Sequence, residues 1–176
     1  MKKFIFLTLI PTFVAVIVGI SVYNWANENL ADRNGKADAS SSSVVAPPKA
    51  NDIEAEINKY RVSQGLAALN SEVPSLDQAA QVRAEQMCRD NDWSHNRDWE
   101  ILAPYYNYSY AGENLYYGFL QKNQAAVAVQ TWIGSPKHQE NMVDNYTEMG
   151  IGVKACPGFQ NEPTAIIVTN YFGVPR

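Results

Sequence analysis

The chain holds only two histidines, His95 and His138, and Glu113 lies between them in the run Gly112-Glu113-Asn114-Leu115. A neutral imidazole can ligate a metal or carry a proton, and a nearby carboxylate can act as base or orient either ring. His138 follows Ser135-Pro136, a good N-cap and a good first helical residue, which puts it in a helix first turn. There the positive end of the helix dipole disfavours the protonated ring. Glu113 reads as a carboxylate beside an amide in a glycine turn. The three residues are 18 and 25 positions apart and make no local zinc motif. His-Glu-x-x-His, Cys-x-x-Cys and Gly-x-Ser-x-Gly are all absent, so no hydrolase signature is present. Plainer roles stay open for each: His95 closing a helix on a backbone carbonyl, Glu113 bonding amides of its own turn, His138 satisfied in its own helix.

Two further groups could carry chemistry. Cys88 and Cys156 are the only cysteines, and outside a membrane an even count points to a disulfide. A catalytic Cys88 thiol working with His95 is the alternative. Tyr105, Tyr106, Tyr108, Tyr110, Tyr116 and Tyr117 are six of ten tyrosines in the chain. They suit a cleft wall, or they cover a sheet and an irregular loop.

The elements that must position these residues follow from periodicity. Ile53, Ile57 and Tyr60 form one apolar stripe of a helix over 52–64, ended by Gly65. Ser75-Leu76-Asp77-Gln78 fits a capping box opening a second helix, with Leu76, Ala80, Ala84 and Met87 on one face toward Asn91. A third is expected over 123–133, with Ala126, Val129 and Trp132 inward. Strands are expected at 114–118, 148–155 and 164–173. Helices and strands mix without a βαβ rhythm, which predicts an α+β domain, an antiparallel sheet covered by helices.

That domain should occupy residues 51–176. Before it, Phe4 to Tyr23 is an uncharged apolar run behind Lys2-Lys3, long enough to cross a bilayer. Residues 1–26 are therefore expected to be an uncleaved membrane anchor, with a cleaved signal segment as the alternative and the domain outside either way. Residues 27–50, with Ser40 to Ser43 and Pro47-Pro48, read as a disordered linker. The domain carries nine Lys and Arg against fifteen Asp and Glu, a net charge of −6. That sign argues against nucleic acid and against docking on anionic lipid.

Taken together in order, the motifs resemble those of the CAP superfamily: cysteine-rich secretory proteins, venom antigen 5, plant pathogenesis-related proteins and bacterial secreted or anchored relatives. The matching pieces are Asn58-x-x-Arg61-x-x-x-Gly65-Leu66-x-x-Leu69, Ser94-His95, Gly112-Glu113-Asn114-Leu115, Trp132-x-x-Ser135-Pro136-x-His138-x-x-Asn141-Met142, Met149-Gly150-Ile151-Gly152 and Asn170-Tyr171-Phe172-Gly173. The resemblance implies a three-layer α-β-α sandwich with a wide cleft. It also implies a divalent-ion site, zinc by preference, at His95 and His138 with Glu113 beside them. Animal members carry Trp-x-x-Glu where this chain has Trp132-x-x-Ser135. The second carboxylate is missing, and paired acid/base catalysis loses its support. The expected function is binding, by a monomer tethered to the membrane and facing outward. A metal-assisted hydrolase with Glu113 as base and a lipid or sterol carrier are the alternatives.

Overall fold

A computed structural model describes residues 45–176. The expected anchor and nearly all of the expected linker lie outside the described residues. Among the described residues no helix is long and apolar enough to cross a membrane. The elements, in order, are helices α1 (Ala50–Ser63), α2 (Pro74–Asp90) and α3 (Asp98–Leu102), strand β1 (Tyr108–Phe119), helices α4 (Gln124–Ile133) and α5 (Pro136–Val143), and strands β2 (Glu148–Ala155) and β3 (Ala165–Pro175).

The sheet runs β1-β3-β2 with both pairings antiparallel, so β3 is central and β1 and β2 are edges. Residues of a strand alternate between its faces. One face of the sheet packs on α2 and α3, the other on α1, α4 and α5. This is the α-β-α sandwich that the resemblance implies. β3 is buried from Ala165 to Gly173, as a strand covered on both faces must be.

Helix α2 lies close against β2 because two positions lack a side chain. A Cβ on Gly150 would overlap the Leu76 backbone, and one on Gly152 the Ala80 backbone. The same approach lets Thr169 Oγ1 donate to the Ala80 carbonyl at 2.6 Å. Both sheet edges are covered in their middle by helix side chains. On β2, the backbone N–H groups of Ile151 and Val153 donate to Asp77 Oδ1 and Gln81 Oε1, each at 3.1 Å. On β1, the Glu113 and Leu115 carbonyls accept from Asn141 Nδ2 at 3.1 Å and Trp132 Nε1 at 2.9 Å. Occupied edge groups leave little template for pairing with another chain.

Three local expectations need correction. Ser75 does not cap α2: the N-cap is Val73, no side chain caps it, and Ser75 lies inside the helix after Pro74. Proline suits the first helical position, and the start lies two residues upstream of the expected one. Gly112-Glu113 is not a turn but the middle of β1, which is twelve residues long and takes in Tyr108 and Tyr110. In α4 the inward alanine is Ala128, with Val129 and Trp132, while Ala126 is half-buried. The short α3, only five residues, carries too little periodicity to be read from sequence. The Cys88–Cys156 disulfide is present, with an S–S distance of 2.05 Å, and no described cysteine is free. A Cys88 nucleophile is thereby removed.

Candidate functional site

Glu113 and Asn114 are consecutive on edge strand β1, so their side chains leave opposite faces of the sheet. Each reaches one of the two histidines. Glu113 points to the α2 and α3 layer, where its Oε2 lies 2.6 Å from His95 Nδ1. Asn114 points to the α5 layer and donates through Nδ2 to the His138 carbonyl at 2.9 Å. Asn141, one turn further along α5, donates to Asn114 Oδ1 at 2.9 Å and fixes the amide's orientation. The Glu-Asn dipeptide therefore serves both histidines because strand geometry splits it.

His95 does not close α2. It lies in a bend beyond that helix, ahead of α3, with its side chain half-exposed. The Glu113 carboxylate is almost wholly buried, and its other oxygen accepts from Arg83 Nε at 2.9 Å. Neither oxygen bonds amides of its own strand. A carboxylate can only accept, so His95 carries its proton on Nδ1 and turns its other nitrogen, Nε2, outward. The hydrogen bond to Glu113 raises the His95 pKa above its ordinary value against the opposing effect of burial. Asp98, at the start of α3, is also buried. Its side chain offers an oxygen that lies, with a donor atom from His95 and one from Glu113, in a group no more than 4.8 Å across. Burial pushes the Asp98 pKa up, with Glu113's charge adding to it. The Tyr171 hydroxyl donates to the Asp98 carbonyl at 2.9 Å and pins α3 to the sheet.

His138 is where the sequence placed it, in the first turn of α5 behind Ser135 and Pro136. Ser135 is the N-cap residue by position, though its side chain makes no capping bond. His138 is not part of the compact His95–Asp98–Glu113 group. Its side chain is less exposed than that of His95, and its Nδ1 is buried with no hydrogen-bond partner. Burial, and after it the charge of His95, lowers its pKa. The two rings thus differ in state while lying close enough to feel each other: one held by a carboxylate, the other neutral with an orphaned nitrogen.

Sequence reasoning missed Arg83 and Asp98. Arg83 occupies the inward face of α2, where the pattern of Leu76, Ala80, Ala84 and Met87 directs attention to apolar residues. An arginine at a buried helical position was the available signal. The tyrosines serve the fold more than a cleft. Tyr106 and Tyr116 are buried, Tyr105 and Tyr108 pack against a core cluster, and Tyr110 stacks on Tyr146 at 4.9 Å. A concavity of about 640 Å³ at the start of α1, lined by Pro47, Lys49, Gln121 and Lys122 among others, does not include either histidine.

Comparisons with known proteins agree with this architecture. An outer surface protein of Borrelia burgdorferi superposes with a TM-score of 0.58 at 18% identity, covering 76% of this chain and 100% of that one. A cysteine-rich secretory protein of Staphylococcus aureus gives 0.54 at 15% identity, covering 70% of this chain and 38% of that one. At such identities the likeness is one of fold. No curated protein matches the chain. The family described as CAP, the cysteine-rich secretory protein family, matches residues 54–172, and the chain belongs to it.

Proposed function

We propose that this protein is a CAP domain held outside the cell by its N-terminal segment, acting by binding, with a divalent ion, zinc by preference, held between His95 and His138. The observation that carries the reading is the pairing of a carboxylate-oriented His95 with a neutral, partnerless nitrogen on His138. A carboxylate behind a histidine is the usual support of a metal-ligating imidazole, fixing its tautomer and turning the far nitrogen outward. An unpaired buried nitrogen is costly unless something occupies it. Imidazole donors suit zinc and its neighbours better than calcium, which prefers oxygen. Such an ion would act as an electrophile or a bridge to a bound ligand.

Glu113 stands behind the site: its two oxygens accept from Arg83 and His95, so in this reading it supports the His95 ring first and ligates only secondarily. With its oxygens already accepting from Arg83 and His95, Glu113 is a weaker general base for a metal-assisted hydrolase than a free carboxylate, and binding is favoured over hydrolysis. Two histidines are fewer ligands than ordinary zinc sites supply, and affinity should be modest.

The test is calorimetric titration of the full chain with Zn²⁺, beside His95→Ala and His138→Ala. Losing a supporting residue at a metal site costs about 10–100-fold in affinity, and losing a ligand should cost at least as much. Binding should weaken as pH falls, because the raised proton affinity of His95 sets proton and metal in competition there. Zinc binding unchanged in both variants refutes the metal site. Carbonate extraction tests the tether: a native protein released as a soluble, shortened chain refutes an anchor.

A further inference from the structure

We propose that Arg83 is a positioning residue for His95, fixing both where the ring sits and which nitrogen it turns outward. The inference rests on the metal reading for its purpose but not for its geometry. Arg83 is fully buried, and its planar fork is shared among three acceptors. Nε donates to Glu113 Oε1 at 2.9 Å, one terminal nitrogen donates to Gln86 Oε1 at 2.5 Å, and the other donates to the Ser94 carbonyl. Ser94 immediately precedes His95, and Glu113 is the carboxylate that holds the His95 ring. One guanidinium thus holds His95 at two points: its backbone through Ser94 and its Nδ1 through Glu113.

The acceptors are themselves anchored. Gln86 Nε2 donates to Asp90 Oδ2 at 3.0 Å, and Ser94 Oγ donates to Asp92 Oδ2 at 3.0 Å. His95 lies in a bend outside helix and strand, its carbonyl accepting one long bond, from the Asp98 N–H at 3.5 Å. Without the fork, Glu113 could turn and the bend could drift independently. Only a rigid, planar, multidentate cation meets these acceptors at once. Lysine keeps the charge but is a point donor on a flexible stem.

The experiment uses the full chain, labelled with ¹⁵N in its histidine rings and arginine side chains and stripped of metal by chelator. Two histidines make ring assignment direct, and His138 is the internal control. At a pH above the imidazole range, wild-type His95 should carry its proton on Nδ1, and the Arg83 guanidinium should be rotationally locked with a slowly exchanging Nε–H. Arg83→Lys should move His95 toward the Nε2–H form that free imidazole favours in water and leave His138 unchanged. Its zinc affinity should fall about 10–100-fold. A folded Arg83→Lys protein whose His95 keeps its Nδ1 proton overturns the proposal. If that variant does not fold, the wild type still decides: a freely rotating guanidinium, or His95 protonated on Nε2, overturns it as well. A tautomer that shifts as expected in a protein that binds no zinc would sink the metal reading and leave the positioning role standing.

Discussion

The two faces of the sheet are built differently. On the α1, α4 and α5 side one continuous apolar cluster runs from Ile53 and Ile57 through Trp132 and Met142 to Met149, Val168 and Phe172. On the α2 and α3 side the apolar residues fall into two smaller groups, one around Met87, Leu115 and Ile167 and one around Leu76, Leu102 and Tyr171. The buried Arg83–Glu113 pair lies at the seam, since Glu113 faces Tyr171 across the sheet and Leu115 is its same-face neighbour. A buried ion pair contributes little net stability compared with apolar side chains of similar size, yet removing one partner is expensive. The first face is thus organised for stability. The second gives up core continuity to hold a polar group, and that group reaches His95.

A substitution cycle tests that contrast most strongly. Trp132→Ala, on the continuous face, should lose about 3–5 kcal/mol, for a buried tryptophan's packing and its bond to the Leu115 carbonyl. Arg83→Met on the seam should lose a similar amount, about 3–5 kcal/mol, by leaving a buried carboxylate unpaired. Combining Arg83→Met with Glu113→Leu should recover most of that loss, whereas no second change should rescue Trp132→Ala so readily. Urea unfolding of the four proteins measures this. A double variant no more stable than Arg83→Met would mean that the pair stabilises the fold outright.

The disulfide ranks close behind. It joins the end of α2 to the chain just after β2, across a separation of 68 residues, and so braces the discontinuous face. On the chain-entropy view a loop of that length is worth about 4 kcal/mol. Reduction should lower the unfolding midpoint, with hydrogen exchange rising first in α2 and least in β3. Loss spread evenly over both faces would contradict the contrast.

The smallest expected effect is on pH dependence, and it separates the two histidines by sign. The pKa of His95 is raised in the folded protein, so its contribution is fully present below the unfolded value of 6.5 and is lost as pH rises through the higher folded value. The pKa of His138 is lowered, so below 6.5 the unfolded chain takes up a proton that the fold resists, and His138 costs stability there. In metal-free protein, His95→Gln should therefore be most damaging in acid and His138→Gln relatively protective in acid. Urea midpoints taken from about pH 5 to 9 test the signs. Two variants shifting in the same direction would show that the rings do not occupy opposed environments.

Much of this was legible from order and spacing. The α1 stripe, the span of α4, the start of α5 at Ser135-Pro136, and strands β2 and β3 follow from hydrophobic period and turn chemistry, which act over a few residues. The even cysteine count anticipated the disulfide. The motif Asn58-x-x-Arg61 marked a joint whose purpose appears only when folded. Asn58 exchanges hydrogen bonds with the Leu69 backbone at 2.8 and 3.0 Å, and Arg61 reaches the Met142 and Asp144 carbonyls.

The sequence by itself determined which residue types were available: two imidazoles, a Glu-Asn dipeptide, apolar stripes and an acidic domain. It also determined that His138 lies in a helix first turn, because a proline at the first helical position acts locally. Only the tertiary structure decided that Glu113 lies in a strand and not a turn. Strand pairing with β3 is a contact between residues far apart in sequence, and it overrides the turn preference of Gly112. The same pairing sends Glu113 and Asn114 to opposite layers. Packing of α2 on glycine-bearing β2 then brings Arg83 beneath Glu113, thirty residues away in sequence. Local propensities act along the chain, whereas the burial that makes an arginine grip a carboxylate and a neighbouring carbonyl exists only once two layers have closed on it.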